Sequence, residues 1–134
     1  MDRKVLAVVA GVVTALLLTG FIGWAGDYIF PPSPLVDNNP ELIKTMGAPI
    51  LGTLTKLIGW GVGVFAGAMI AMRMAEADVW PAVAVGAVMG AFEIVLLFLA
   101  PHQVVYVALT FAVIGASAFG AAWLSTHGQS AEQV

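Results

Sequence analysis

The feature of this 134-residue sequence that most constrains its fold is a series of four long apolar runs that carry almost no charge. A helix needs about 20 apolar residues to cross the ~30 Å hydrocarbon core of a bilayer. The runs are continuous rather than alternating, which is typical of membrane helices and not of barrel strands. We therefore predict an all-α integral membrane four-helix bundle. It forms a single domain over residues 1–134, with spans near 5–25, 50–72, 80–100 and 103–124.

The composition supports this class and excludes others. Only 10% of the residues are charged, whereas a water-soluble surface brings that share to roughly 25%. The net charge of −3 and the five scattered basic residues do not favour nucleic-acid binding. The chain has no cysteine, which excludes disulfides, thiolate metal sites and cysteine catalysis. We expect no metal, no cofactor and no enzymatic activity, and we expect the lipid bilayer to surround the protein.

Basic residues near the span ends predict the orientation in the membrane. With four spans, Arg3, Lys4 and Arg73 fall on one side, and Lys44 and Lys56 fall on the other. The excess is small, but Arg3 and Lys4 flank the first span directly. This favours an up-down-up-down topology with both ends in the cytoplasm.

The residues between the spans predict where helices begin and end. In the outer loop, residues 26–48, the run Phe30-Pro31-Pro32-Ser33-Pro34 favours extended geometry. Asn39-Pro40-Glu41 then predicts a short helix over residues 40–46. This loop either connects spans on the membrane surface, covers the outer mouth of the bundle or binds a partner. On the other side Asp78 is the expected N-cap of the third helix, and the polar tail after Ser125 is expected to fray.

Small residues at four-residue spacing follow three of the spans. In a bilayer such faces allow two helix backbones to approach closely, which promotes helix association. The predicted helix-packing glycines are Gly59, Gly63 and Gly67 in the second span, Gly86 and Gly90 in the third, and Gly120 in the fourth. We interpret them as a glycine zipper. An antiparallel register that places Gly59 level with Gly90 and Gly63 level with Gly86 would join the second and third spans.

Lys56 and Glu93 are the two charged residues within the spans, and the same register places them level with each other. An ionisable residue near the middle of a span costs about 2.5–3.5 kcal/mol on insertion scales, so each requires a reason. We predict a charged pair between them. Three interpretations of Glu93 stay open: a structural partner of Lys56 or of a hydroxyl, a proton- or cation-binding group in a transport pathway, or a contact with another subunit.

Several short features together resemble a known group of proteins. They are the aromatic–proline end of the first span at Tyr28–Pro32, the Asn- and Asp-rich loop, the glycine-rich second span and the Pro101-His102 turn. This pattern resembles a diffuse group of small four-helix bacterial inner-membrane proteins without an assigned function. The resemblance implies a multi-pass location in a bacterial inner membrane and no activity. Small multidrug resistance transporters match in size and helix number, but their essential carboxylate belongs to the first helix, and Val5–Ala25 has none.

Two functions follow as expectations. Four short helices are expected to enclose little volume, which disfavours a pore or a large ligand site within one copy. The first hypothesis is a structural or accessory membrane protein that acts through helix–helix association, as a homo-oligomer or as a subunit of a larger membrane complex. The alternative is a small oligomeric transporter or channel with Glu93 at its coupling site.

Overall fold

The computed structural model describes residues 2–31, 50–99 and 104–132, and these form four α-helices. The helices are α1 (Arg3–Ile29), α2 (Ile50–Met74), α3 (Trp80–Leu99) and α4 (Val104–Glu132). By length and composition, each is long and apolar enough to span a membrane. This confirms the predicted all-α fold with four candidate spans. The predicted short helix at 40–46 and the Pro101-His102 turn lie outside the described residues.

Three helices extend beyond the predicted spans, α2 by two residues and α1 and α4 by more. α1 continues past Ala25 to Ile29, and the amide of Phe30 still donates a 2.8 Å hydrogen bond to the carbonyl of Gly26. It ends directly before the two prolines, which disfavour helical geometry in the residue that precedes them.

The prediction that the tail frays after Ser125 is wrong, because α4 continues to Glu132. Side chains in this last part of α4 contact residues of the same helix. Thr126 donates to the carbonyl of Ala122 at 3.1 Å, and the His127 ring stacks on Trp123 with centroids 4.5 Å apart. These contacts satisfy the polar groups of both side chains on the helix itself, so a polar residue here does not require the helix to end.

The second helix is the centre of the bundle. It contacts α1, α3 and α4, whereas α1 and α4 do not touch each other within the described residues. The interface between α1 and α2 is the most extensive of the helix pairs. The buried core lies in two clusters, one around Ala15, Trp60, Val64, Ala71, Val85, Met89 and Ile114, and one around Ala68, Met72, Ala82 and Ala121.

The backbones of α1 and α2 approach closely at small residues. A Cβ atom built on Gly11 would lie 2.6 Å from the carbonyl oxygen of Gly67, and one on Gly63 would lie 2.7 Å from that of Ala15. One on Gly59 would lie 3.3 Å from the carbonyl oxygen of Thr19. The partners rise by four residues along α1 as they fall by four along α2, so the two helices run antiparallel in this contact.

The glycine row of α2 therefore packs on α1, and the predicted register between α2 and α3 is not observed. A Cβ on Gly86 would lie 3.0 Å from the Cβ of Ala118, and one on Gly90 would lie 3.7 Å from the ring of Phe111, so both glycines face α4. The physical reason is a second row of small residues, Gly11, Ala15 and Thr19, on α1. It offers α2 a closer backbone approach than α3 does.

The connection from α2 to α3 lies at the same end of the bundle as the start of α1. Glu76 and Ala77 both adopt left-handed backbone conformations, with φ of 58° and 66°. Asp78 accepts a 3.1 Å hydrogen bond from the amide of Trp80, the first residue of α3, so its side chain caps a free amide at the helix start. The carbonyl of Val79 accepts the first hydrogen bonds of the helix, which puts the N-cap position one residue later than predicted. Arg3 donates to the carbonyl of Met74 at 3.0 Å and forms an ion pair with Glu76.

Most of the outward surface of the helices is apolar. Phe98 on α3 is 87% exposed, and residues such as Leu17 and Val105 are also exposed. Monomeric soluble proteins rarely expose contiguous apolar surface of this extent. Hydrocarbon is the solvent that such a surface requires.

Candidate functional site

A cavity of about 490 Å³ lies between the helices, and all four helices contribute to its wall. It is lined by Leu16, Thr19, Gly20 and Gly23 of α1, Lys56 and Trp60 of α2, Phe92, Glu93 and Leu96 of α3, and Tyr106 of α4. Small-molecule sites in proteins typically measure about 300–1,000 Å³. This cavity has the size of such a site, but it is partly open to its surroundings, so the expectation that one copy encloses little volume stays untested.

The cavity exists in part because α1 lacks side chains where it meets this space. Gly20 and Gly23 line the wall, and a Cβ atom on either would meet no atom of the described residues within 4 Å. Further along α1, Gly11 lies so close to α2 that no such space remains. The glycines of this helix thus have two roles: Gly11 and Gly26 pack closely against α2, whereas Gly20 and Gly23 leave open volume between them.

Glu93 is the buried carboxylate in the wall of this cavity. The buried face of α3 consists of Pro81, Ala82, Val85, Met89 and Glu93, so the glutamate continues the stripe that faces the core. Its residue is 1% exposed. At 1.5 Å per residue, Glu93 lies about 20 Å from Trp80 and about 9 Å from Leu99 along the helix. The carboxylate is therefore within the apolar span, in the half of the bundle far from Arg3.

Three aromatic side chains from three helices line the same cavity. They are Trp60 of α2, Phe92 of α3 and Tyr106 of α4. The Trp60 ring is 5% exposed, and its centroid lies 6.4 Å from that of Phe92 with the ring planes 46° apart. Aromatic faces carry negative electrostatic potential and attract cations. The wall thus combines one carboxylate with aromatic rings, and both favour positive charge.

Lys56 reaches the same cavity, but its ion pair is with α1. Its Nζ atom lies 3.3 Å from Oδ1 of Asp27, and both side chains are about half exposed. The structure therefore brings Lys56 and Glu93 to one cavity, while the ion pair that it shows for Lys56 is with Asp27. The predicted pair between Lys56 and Glu93 stays a prediction. Because both side chains of this ion pair are exposed, their charges lie at the rim of the cavity.

Sequence reasoning missed Asp27 because it ended the first span at Ala25. The signal was present: Pro31 is the first residue after Val5 that cannot continue a helix, so Asp27 belongs to the last turn of α1. Trp60 and Tyr106 were also missed, because they come from two other helices and become neighbours of Glu93 only through the packing of the bundle.

The opposite end of the bundle holds most of the charged residues among those that the structure describes. The Lys4 ammonium lies 2.7 Å from a carboxylate oxygen of Asp78, and this hydrogen bond lowers the pKa of Asp78 below its ordinary value of 3.8. A second cavity, about 560 Å³, lies here and is lined by Arg73 and Glu76 together with residues of α4. Glu76 takes part in the ion pair with Arg3 that joins two helix ends.

Comparison of the chain with protein-family models, with curated proteins and with solved structures gives no match. The functional argument therefore rests on the chemistry of the Glu93 cavity.

Proposed function

We propose that this chain is a small multi-pass membrane protein that binds a cation in the Glu93 cavity and carries it across the bilayer. The observation that supports this best is a carboxylate, 1% exposed, in the wall of a cavity that all four helices line. Ionisable residues within membrane spans are costly, face interior cavities and mark the pathways of ions or substrates. No enzymatic activity is part of the proposal.

The proposed orientation puts both ends of the chain in the cytoplasm, with an up-down-up-down topology. It is supported by Arg3, Lys4 and Arg73, which lie at the end of the bundle that carries the α2–α3 connection. The Glu93 cavity then lies in the outer half of the membrane. The proposed membrane is the bacterial inner membrane, on the resemblance given by the sequence.

The test is charge movement in reconstituted membranes. Proteoliposomes adsorbed on a solid-supported membrane are exposed in turn to steps of proton, sodium and methylammonium concentration. The intact chain should give a transient current with at least one of these cations, and Glu93→Gln should give none. Glu76→Gln, which removes a carboxylate at the other end, is the matched control and should keep the current. Absence of current for every cation, or equal currents in Glu93→Gln, would contradict the proposal.

A second candidate function, accessory association with other membrane helices, is favoured by one observation on α4. Its small residues Ala108, Ala112, Gly115 and Ala116 are exposed, and a Cβ atom on Gly115 would meet no described atom within 4 Å. Such a face supports association with a second copy of the chain or with a larger membrane complex.

Native mass spectrometry in lipid discs tests this second candidate. Gly115→Leu should dissociate an oligomer or complex that the intact chain forms. Val95→Leu, a bulkier substitution on the exposed face of α3, should leave it assembled. A monomeric, unaccompanied intact chain would reject the candidate.

A further inference from the structure

The cavity of about 560 Å³ at the other end of the bundle lies between α2 and α4, beside the α2–α3 connection. Its size falls in the range of about 300–1,000 Å³ that is typical of small-molecule sites. A Cβ atom on Gly128 would meet no described atom within 4 Å, so the space beside α4 is open. The lining consists of Met69, Met72 and Arg73 of α2, Glu76 and Ala77 of the connection, and Leu124, Ser125 and Gly128 of α4.

Two tryptophans indicate the depth of this cavity in the membrane. Trp80 is the first residue of α3 and is 61% exposed, and Trp123 of α4 is 51% exposed. Tryptophan is enriched where a membrane meets water, with its ring at the level of the lipid headgroups. Trp123 directly precedes the α4 residues that line the cavity, and Arg73 lies in the last turn of α2. The cavity is therefore expected at the level of the headgroups.

Arg73 is the charged group at this cavity that is available to a ligand. The carboxylate of Glu76, in the same lining, already forms an ion pair with Arg3, and Lys4 pairs with Asp78 at 2.7 Å. None of the ion pairs that the structure shows among the described residues includes Arg73, which is exposed. A guanidinium group binds phosphate through two parallel hydrogen bonds. The chemistry of this wall therefore favours a phosphate group.

Ser125 supplies a second hydrogen-bond donor in the same lining. Its hydroxyl donates to the sulfur of Met69 at 3.4 Å, and a thioether is a weak acceptor. The next residue, Thr126, instead donates to the carbonyl of Ala122 at 3.1 Å, a much better acceptor. The Ser125 hydroxyl therefore loses little when it turns from Met69 to a phosphate oxygen.

The apolar part of the lining favours a lipid over a free phosphate ion. Met69 lies one turn before Arg73 on α2, and Leu124 lies one turn before Gly128 on α4. Met69 is partly buried and Leu124 is 47% exposed, so both retain surface for a ligand. From the polar groups, this apolar surface leads towards the middle of the bundle. A free phosphate ion would contact only the polar part, whereas a phospholipid would use both.

We propose that this cavity binds one anionic phospholipid. Its phosphate accepts hydrogen bonds from Arg73 and Ser125, and the first part of its hydrocarbon chains lies along Met69 and Leu124. The proposal is independent of the cation transport proposed for the Glu93 cavity, because the two sites share no lining residue.

The test is native mass spectrometry of the full chain in detergent, titrated with dioleoyl phosphatidylglycerol or with dioleoyl phosphatidylcholine. The two lipids have the same chains and differ in the charge of the headgroup. The intact chain should bind the first phosphatidylglycerol molecule about fivefold more tightly, the factor that about 1 kcal/mol for one basic residue near an anionic lipid gives. Arg73→Gln should abolish this preference.

Two further variants separate the cavity from the general charge of this end. Gly128→Leu fills the open space and keeps every charge, so it should lower binding of phosphatidylglycerol even if Arg73→Gln also affects folding. Lys4→Gln is the matched control, because it removes a positive charge at the same end but outside the lining, and it should keep the preference. Inorganic phosphate at the concentration of the lipid should not displace phosphatidylglycerol.

Four results would overturn the proposal. Equal affinity of the intact chain for the two lipids would show that no anionic headgroup is selected. An equal loss of preference in Lys4→Gln and Arg73→Gln would assign the attraction to the charge of the whole end. Unchanged binding in Gly128→Leu would place the lipid elsewhere. Displacement by inorganic phosphate would identify a free anion as the ligand. None of these results would alter a current that depends on Glu93.

Discussion

Glu93 occupies a position on α3 that packing alone would assign to an apolar residue. Four residues before it, Met89 is fully buried in the same stripe, and Val85 precedes that by another turn. A charged side chain at such a place opposes membrane insertion by about 2.5–3.5 kcal/mol relative to apolar alternatives. Packing of apolar side chains alone therefore does not explain a carboxylate here.

We expect Glu93→Met to leave the unfolding temperature in lipid discs unchanged or to raise it by a few degrees. The substitution removes the desolvation cost of the carboxylate and fills the stripe with a side chain of similar length. Binding of cations should be lost in the same variant. Thermal unfolding followed by circular dichroism measures the first effect and equilibrium dialysis the second. A large fall in the unfolding temperature would instead identify Glu93 as a structural residue.

The pair between Lys56 and Asp27 should contribute little to stability. Both side chains are about half exposed, and exposed pairs typically contribute about 0–1 kcal/mol. We expect Lys56→Met and Asp27→Asn to lower the free energy of unfolding by less than about 1 kcal/mol each. A double-mutant cycle gives the coupling directly. A larger coupling of Lys56 with Glu93 than with Asp27 would favour the pair that the sequence predicted.

These residues show which parts of the candidate site can be predicted from the sequence and which cannot. Lys56 and Glu93 can be recognised in the sequence as candidate site residues, because a charged residue within an apolar run requires an explanation. Their neighbours are not visible, because Asp27 and Tyr106 come from other helices and become neighbours only through the packing. Which side chains line a cavity depends on how each helix is rotated about its own axis. Small residues at four-residue spacing constrain that rotation only loosely.

The contact between α1 and α2 depends on the absence of side chains. A Cβ atom on Gly67 would lie 2.9 Å from that of Ala15 and even closer to the backbone of Gly11. Gly67→Ala should therefore push the two helices apart and lower the free energy of unfolding by about 1–3 kcal/mol. Gly115→Ala on α4 is the matched control and should be neutral or slightly stabilising, since its site is open. Equal effects in denaturant titrations of the two variants would reject this account of the interface.

Ion pairs fasten the start of α1 to the connection between α2 and α3, and one of them predicts a pH dependence. The hydrogen bond from Lys4 lowers the pKa of Asp78 in the folded protein below its ordinary value of 3.8. The resulting stabilisation is present above pH 3.8 and is lost as the pH falls through the lower, folded value. Unfolding measured between pH 6 and pH 2 should show this loss. Asp78→Asn, which retains a good capping residue, should remove that contribution while other carboxylates still titrate.

The helices themselves were predictable to different degrees. The start of α3 at Trp80 was correct, because Asp78 and Pro81 mark it in the sequence. The ends of α1 and α4 were placed too early, because polar residues were taken to end a helix where no proline or capping glycine did. The predicted partner of the α2 glycines, which was α3, was wrong. Residue numbers that match the levels of two spans cannot show that a third span packs more closely against one of them.

The orientation of the whole molecule in the membrane can be tested by cysteine labelling, because the native chain has no cysteine. Ile29 is exposed at one end of the bundle, and Thr126 is exposed near the other. In the proposed orientation, a membrane-impermeant maleimide applied to intact cells should label Ile29→Cys. It should label Thr126→Cys only after the membrane is opened. The reverse pattern would invert the bundle and place the Glu93 cavity in the cytoplasmic half.

Backbone contact between α1 and α2 also limits how this protein changes shape. If α1 turned about its axis, Val12 or Leu16 would replace Gly11 and Ala15 against the carbonyl groups of α2, and there is no room for either. These contacts therefore resist rotation of α1 against α2. If the Glu93 cavity opens in turn to the two sides of the membrane, as the proposed function requires, we expect the movement to occur in α3 and α4 rather than at the interface between α1 and α2.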